Sequence, residues 1–522
     1  MIATTRAPLK SSRRASQRSP LFAACLALVT SSLVPLSAQA LSPQSGGVSP
    51  LASPGMKLGD VEPRRSLANR YPGVGTGTHW WIDGQTGSDS NPGTRDEPWR
   101  TIDKLESVTL SPGDLVHVLA GSYPVQNSLR LIGIAGTADA WIGIKAAGPV
   151  RLINSGLANV VNVEGCHYLF LRGFEITHEN RGLPYGSWDP VDGVKFSNAV
   201  STNVAIDGCR IHHLGNVGIS SQAPLIRGIR VVDTEIHDCF VGLYWGYYEA
   251  PNKRYAHNGI IARNYIHDCP PIDLDGTGYG LQIKGGSYGN VIEDNVIVNA
   301  GGNTRAAIAV YHASTDLGTQ PKRNIIRRNF VRAARNEGIY ATEGALIENN
   351  ILVDCANVGI NVTSRSTGWG VFYGNLTIRN NTVFSLDAPG GQALFIGVGP
   401  VVLPQVVANN LLLVISPGQT SLRLPSGFAG TSTQNYCLGS TSGPSLGAVN
   451  VNDLRVVLSS AYGDPDFLFP NPTNLLPSAA DSLYAPKSDF HGQPRDAAPD
   501  VGAFESTGGG NPGWVLSDGF KP

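Results

Sequence analysis

Apolar and polar residues alternate in short runs along most of this chain. The stretch Gly280-Leu281-Gln282-Ile283-Lys284, a Gly285-Gly286 turn, and Asn290-Val291-Ile292-Glu293-Asp294-Asn295-Val296-Ile297 shows the pattern. Alternation with a period of two is the signature of a strand with one buried face. The pair of segments recurs. One segment has the form apolar-x-x-Asn-x-apolar, anchored at Phe174, Cys209, Thr234, Asn264, Asn295, Asn329, Asn350, Asn381 and Asn410. The anchors are 21 to 35 residues apart. The other segment begins at Gly193, Gly218, Gly242, Gly280, Ala307, Gly338, Gly359 and Ala393, each followed by Val, Ile or Leu.

An irregular period of this length predicts a solenoid with a variable loop per turn. One coil cannot bury its own apolar face, so coils stack and share a continuous core. The expected fold class is all-β, a parallel β-helix with an N-terminal cap. The recurrent Asn suits a buried turn in which stacked amides satisfy one another. A propeller is the alternative, with longer, antiparallel blades.

Abundant glycine (62) and proline (35) with only 15% charged residues agree with a turn-rich β protein. The chain divides into five stretches. Residues 1–40 read as an export signal: Arg6, Lys10, Arg13, Arg14 and Arg18 precede an apolar run, and Ala38-Gln39-Ala40 suits cleavage. A membrane anchor is the competing reading, but the run is short and broken by Thr30, Ser31, Ser32 and Pro35. Arg13-Arg14 also permits a twin-arginine route. Residues 41–78 are a flexible Ser/Pro/Gly leader, 79–160 the cap and first coils, 161–505 the β-helix, and 506–522 a loose tail. A short helix is expected after Pro98-Trp99-Arg100-Thr101-Ile102, ending near Val108, and a strand at Leu115–Leu119. The expected location is secreted or periplasmic.

Cleavage after residue 40 removes five basic residues, leaving 34 against 40 acidic ones. Such a chain is not steered toward polyanions, so no nucleic-acid partner is expected, nor a membrane after cleavage. A monomer is expected. Six cysteines follow the signal, an even number that permits disulfides. Cys239 and Cys269 occupy matching positions on neighbouring coils, as a disulfide or as stacked thiols.

The registry also sorts side chains. The first residue after each Gly or Ala start points inward, the second and fourth outward. Lys284 then stands beside Tyr311, one rung away, with Tyr244, Gln282 and Tyr340 on the same face. Tyr247, His312 and Glu343 lie just beyond, and Arg305 is a rim group. An ordinary wet solenoid face is the plain reading. Grouped Lys, Tyr, His and Glu instead suit sugar stacking and proton exchange. His212, His237 and His267 form another column, followed by Asp238-Cys239 and Asp268-Cys269 at the last two. An Ile-His-Asp ending serves as a coil turn, and parallel columns rarely surround a tetrahedral ion, so no metal is expected there. Asp273-Leu274-Asp275-Gly276 makes calcium a candidate, with Asp189 and Asp192 beside Trp188 as further oxygen donors. Two carboxylates alone are too few, and a solvated turn fits better. No cofactor is required.

The opening Gly87-Ser88-Asp89-Ser90-Asn91-Pro92-Gly93-Thr94, Pro98-Trp99-Arg100-Thr101-Ile102 and Pro112-Gly113-Asp114, with Asp489-Phe490-His491-Gly492 and Pro499-Asp500-Val501-Gly502-Ala503-Phe504-Glu505, resembles secreted proteins of the pectate-lyase-like superfamily. The resemblance spans roughly residues 79–505 and implies a right-handed parallel β-helix. Lys284-Gly285-Gly286-Ser287 with Asn290 also resembles the lysine motif of chondroitinase-B-type and alginate-lyase-type enzymes. That resemblance implies a polysaccharide partner, Lys284 as base, and Tyr311 or His312 as acid. Tyr311 replaces the family's arginine, and Thr277 and Tyr279 replace its calcium-binding acids. The leading expectation is a polysaccharide lyase acting on a uronate-containing glycan by β-elimination. Tyr244, Tyr247, Gln282, Arg305, Tyr340 and Glu343 would bind substrate. A glycoside hydrolase or a non-catalytic glycan-binding solenoid are the alternatives.

Overall fold

The computed structural model describes residues 67–125, 127–179, 191–247, 254–269, 278–311, 323–342, 344–363, 375–386, 391–397, 405–416, 418–444, 447–452 and 476–506. All belong to one compact unit, Ser53–Pro522. The proposed signal at 1–40 lies outside them, as do the first part of the leader and most of the tail. Among the described residues no helix is long and apolar enough to cross a membrane.

The alternating segments are strands, and every strand-to-strand pairing between them is parallel, which excludes a propeller. From Val291 to Arg423 each coil contributes one strand to each of three faces, whereas earlier single strands such as Glu235–Trp245 span two of them. Val291–Glu293, Val296–Val298 and Ile308–Val310 make one coil, and Asn324–Arg327, Phe330–Arg332 and Ile339–Ala341 lie on the next. These are called faces A, B and C. Leu281 stands over Ile308 inside the helix on face C, both fully buried, as the registry requires. The inward column runs Val194, Ile219, Leu243, Leu281, Ile308, Ile339, Ile360 and Leu394.

Between faces A and B the chain turns on two residues. The first is left-handed at Gly208, Asp233, Arg263, Asp294, Arg328, Asn349, Asn380 and Asn409. The second is the anchor. From Asn264 onward, each anchor amide donates to the next: Asn264 to Asn295 (2.9 Å), Asn295 to Asn329 (2.9 Å), Asn329 to Asn350 (3.0 Å), and on to Asn381, Asn410 and Asn435. Each also donates to a backbone carbonyl of the preceding coil, as Asn329 does to Ile292 (2.9 Å). A second, shorter ladder joins Asn290 to Asn324.

Packing begins earlier than the composition of the leader suggests. A short helix spans Leu67–Arg70, and Tyr71 stacks on Phe170 with centroids 4.2 Å apart. The Tyr71 hydroxyl donates to Asp207 (2.7 Å), and Arg70 bridges Asp207 and Asp233. The helix expected near Val108 is a 3-10 turn at Ile102–Glu106, and the strand at Leu115 extends to Val125. At the other end, Leu476, Phe490, Val501 and Phe504 cover the outward column of face B at Val296, Phe330, Ile351 and Leu411. The buried Arg495–Glu505 pair (2.8 Å) pins this covering segment. The six described cysteines are buried free thiols, Cys239 and Cys269 included, so stacked thiols and not a disulfide occupy those positions.

Candidate functional site

The outward side of face C carries the lysine. Its second-position column runs Lys195, Ser220, Tyr244, Gln282, Ala309, Tyr340 and Asn361, in the expected register. Lys284 closes the strand Tyr279–Ile283, where its backbone N–H donates to Trp245 (2.8 Å). Tyr311 N–H likewise donates to Ile283 (3.0 Å), which sets Tyr311 one rung on. Gly246 allows this approach: at φ +84° it is left-handed, and a Cβ there would lie 3.3 Å from the Lys284 Cβ.

Lys284 is half-buried between two tyrosines. Its Nζ lies 5.2 Å from the Tyr244 ring centroid and 5.3 Å from that of Tyr311. Aromatic faces attract an ammonium electrostatically. The Tyr311 hydroxyl is 3.1 Å from that of Tyr279, and the Tyr340 ring lies 5.7 Å from that of Tyr311. Tyr340 donates to the Thr363 carbonyl (3.2 Å). Arg305 rests its guanidinium 6.0 Å from the Tyr279 centroid, so it joins the group through that ring.

One expectation needs correcting. Outward parity holds throughout, but this is not a wet face or an open stacking platform. Gln282 and Ala309 are fully buried, and Tyr311 and Tyr340 nearly so. The reason is side-chain length. Tyr279 and Tyr311 approach from opposite ends of neighbouring strands, and their hydroxyls meet. Tyr311 and Tyr340, with Ala306, Val217, Phe240 and Val241, form one apolar cluster around Ala309. Beneath it, neither amide atom of Gln282 has a hydrogen-bond partner.

Tyr247 stands apart from this group. It opens an excursion whose backbone pairs with Arg254, and the Arg254 guanidinium lies 5.9 Å from its ring. His312 and Glu343 lie outside the described residues, as do Asp189, Trp188 and the Asp273–Asp275 loop. Asp192 is described and already engaged. It accepts from Ser220 (2.6 Å), Asn216 (2.8 Å) and the Val217 N–H (3.2 Å), with Lys195 at 3.5 Å. Burial pushes its carboxyl upward against these partners.

Sequence reasoning missed Glu337, which accepts from Asn336 (2.6 Å) and Asn361 (3.1 Å) at the far side of the cluster. It also read Tyr279 only as a missing acid. Both precede the small residue that starts each strand, where the alternation breaks. Glu337 and Asp192 are five rungs apart on face C. At the spacing of paired strands that is about 24 Å. Paired glycosidase carboxylates sit at roughly 5–10 Å, so these two cannot act together.

Residues 155–383 match the family model described as a right handed beta helix region. The chain therefore carries a right-handed parallel β-helix, the fold of the pectate-lyase-like proteins. Among solved structures, it resembles pectate lyase Pel9A at 15% identity and a TM-score of 0.50, covering 83% of this chain and 97% of that one. An alginate lyase from Paenibacillus sp. str. FPU-7 aligns at 16% identity and a TM-score of 0.40, covering 59% and 95%. A GH136 lacto-N-biosidase from Eubacterium ramulus aligns at 15% and 0.45, covering 72% and 68%. No curated protein matches the chain by sequence. At these identities the likeness concerns fold.

Proposed function

We propose that this chain is an exported polysaccharide lyase that cleaves a uronate-containing glycan by β-elimination. The observation that carries the reading is Lys284, half-buried between Tyr244 and Tyr311 on adjacent rungs. Lys284 Nζ takes the proton α to the uronate carboxyl. The released electron pair forms the ring double bond, and the bond to the glycosidic oxygen breaks. That oxygen takes a proton from the Tyr311 hydroxyl, which the Tyr279 hydroxyl at 3.1 Å replenishes. Arg305 adds positive charge at the rim.

No calcium ion is required by these steps.

The test is a panel of pectate, alginate and glycosaminoglycan polymers, assayed for unsaturated uronate products and for new reducing ends. Unsaturated products that Lys284→Ala lowers by at least about 100-fold support the lyase. New reducing ends without unsaturation would establish a hydrolase. Binding without either product would establish a glycan-binding solenoid.

A further inference from the structure

The strand Glu235–Trp245 ends on the lysine site, but it begins at a different cluster on face B. There His212, His237 and His267 are in register, and their rings stack with centroids 4.8 Å apart. Glu235 precedes His237 by two residues and points the same way. We infer that Glu235, His237 and His267 bind a divalent transition-metal ion of the zinc type, through one carboxylate oxygen and two imidazole Nε2 atoms.

The hydrogen bonds favour this over an ordinary turn. Nδ1 of His237 lies 3.1 Å from Asp238, and Nδ1 of His267 lies 2.9 Å from Asp268. Asp268 is held in turn by the Asn299 amide (2.6 Å). A carboxylate on Nδ1 keeps the proton there and turns the bare Nε2 lone pair outward, the arrangement that orients metal-binding histidines. Nε2 of His267 then faces Glu235 Oε1 at 3.2 Å. Two acceptors at that distance need a proton or a cation between them. The gap also matches the edge of a zinc tetrahedron, about 3.3 Å for bonds of about 2.0–2.1 Å.

The third donor supplies an independent observation. His237 is 7% exposed, and its Nε2 is buried without a hydrogen-bond partner. All three donor atoms lie within 4.8 Å of one another. The stacked rings must tilt to close that distance. Each histidine follows its own strand start and turns about its own side-chain bonds, so the backbone need not move. Arg210 holds the other Glu235 oxygen at 3.0 Å. Arg210 is 40% exposed at its side chain and can swing outward. Three protein ligands leave a fourth position for water.

The experiment uses the purified full chain, stripped with chelator and titrated with zinc chloride by calorimetry. One saturable equivalent is expected. His237→Ala and Glu235→Gln should each weaken it by at least about 100-fold, and Asp268→Asn by roughly 10–100-fold, the scale of outer-shell partners. Cobalt(II) in place of zinc should give a visible tetrahedral spectrum that His237→Ala abolishes. Near-UV circular dichroism checks folding, and the near-isosteric Glu235→Gln carries the test if the alanine variant does not fold. No saturable binding, or binding that both variants retain, overturns the site. Lys284→Ala should bind zinc as the wild type does, so the lyase reading and the metal site fail independently.

Discussion

Replacing Gln282 by methionine should stabilise the protein. The Gln282 side chain is fully buried, and both its amide oxygen and its amide nitrogen lack hydrogen bonds. Around it stand Leu281 and Ile283 in the strand, Ala309 on the next rung, and the tyrosine cluster above. An amide taken from water into such surroundings without partners costs about 1–3 kcal/mol by mutational measure. Methionine keeps the length and volume and removes the polar atoms, so most of that cost returns as stability. A gain of about 2 kcal/mol in a chain this long corresponds to a midpoint rise of roughly 2 °C. Scanning calorimetry at several scan rates suits a solenoid, whose unfolding need not be two-state. A midpoint that drops by a similar amount would refute the reasoning, since the amide would then have been satisfied in the native state.

Three further outcomes are expected. Asn329→Ala removes an amide that donates to Asn350 and Ile292 and accepts from Asn295, leaving several buried groups orphaned; a loss of about 3–5 kcal/mol should appear in denaturant melts, and a loss under 1 kcal/mol would deny the ladder its role. Lys284→Ala should cost no more than about 1–2 kcal/mol, the worth of two cation–π contacts, and a chain that fails to fold would make the lysine structural. His117, buried beside Lys145 and His79, has its imidazole pushed down to about 4. Below about 6.5 the unfolded chain takes up a proton that the folded one refuses. Its stabilising contribution is therefore present above pH 6.5 and is lost as pH falls toward 4. His117→Gln should flatten that part of the stability profile, and an unchanged slope would exclude His117 as its source.

The fold was legible because a solenoid makes register a local property. Leu281 lies over Ile308, and Tyr244 beside Gln282, because each strand starts afresh at a small residue. Gly193, Gly218, Gly242 and Gly280 sit where a Cβ would press on the carbonyl of the next coil, at 2.4–2.6 Å. The Asn anchors were legible for a related reason: an amide carries both donors and an acceptor, so it can donate to one coil and accept from another at a single buried turn. The covering of face B by residues 476–506 was not legible. It depends on apolar residues far from the strands they meet, such as Phe504 against the column of Ile351. The packing of Tyr71 on Phe170 was hidden in the same way by a Ser/Pro/Gly-rich leader.

The candidate site shows where column reasoning stops. Parity fixes the direction of a side chain but not what lies over it. Tyr279 and Tyr311 belong to different columns, five positions apart along neighbouring strands, and alternation gives no reason to join them. Their hydroxyls meet because Ala309, between them, is short and leaves the space open. The same closure shuts Gln282 from water and sets Lys284 between aromatic faces. The histidine column was read in its correct register, but the hydrogen bonds on Nδ1 were not visible in the sequence. Those bonds come from Asp238 and Asp268 in left-handed turns. Nε2 of His267 faces Glu235 at 3.2 Å. In both places the contacts come from residues just outside the regular strand, where the period of two no longer holds.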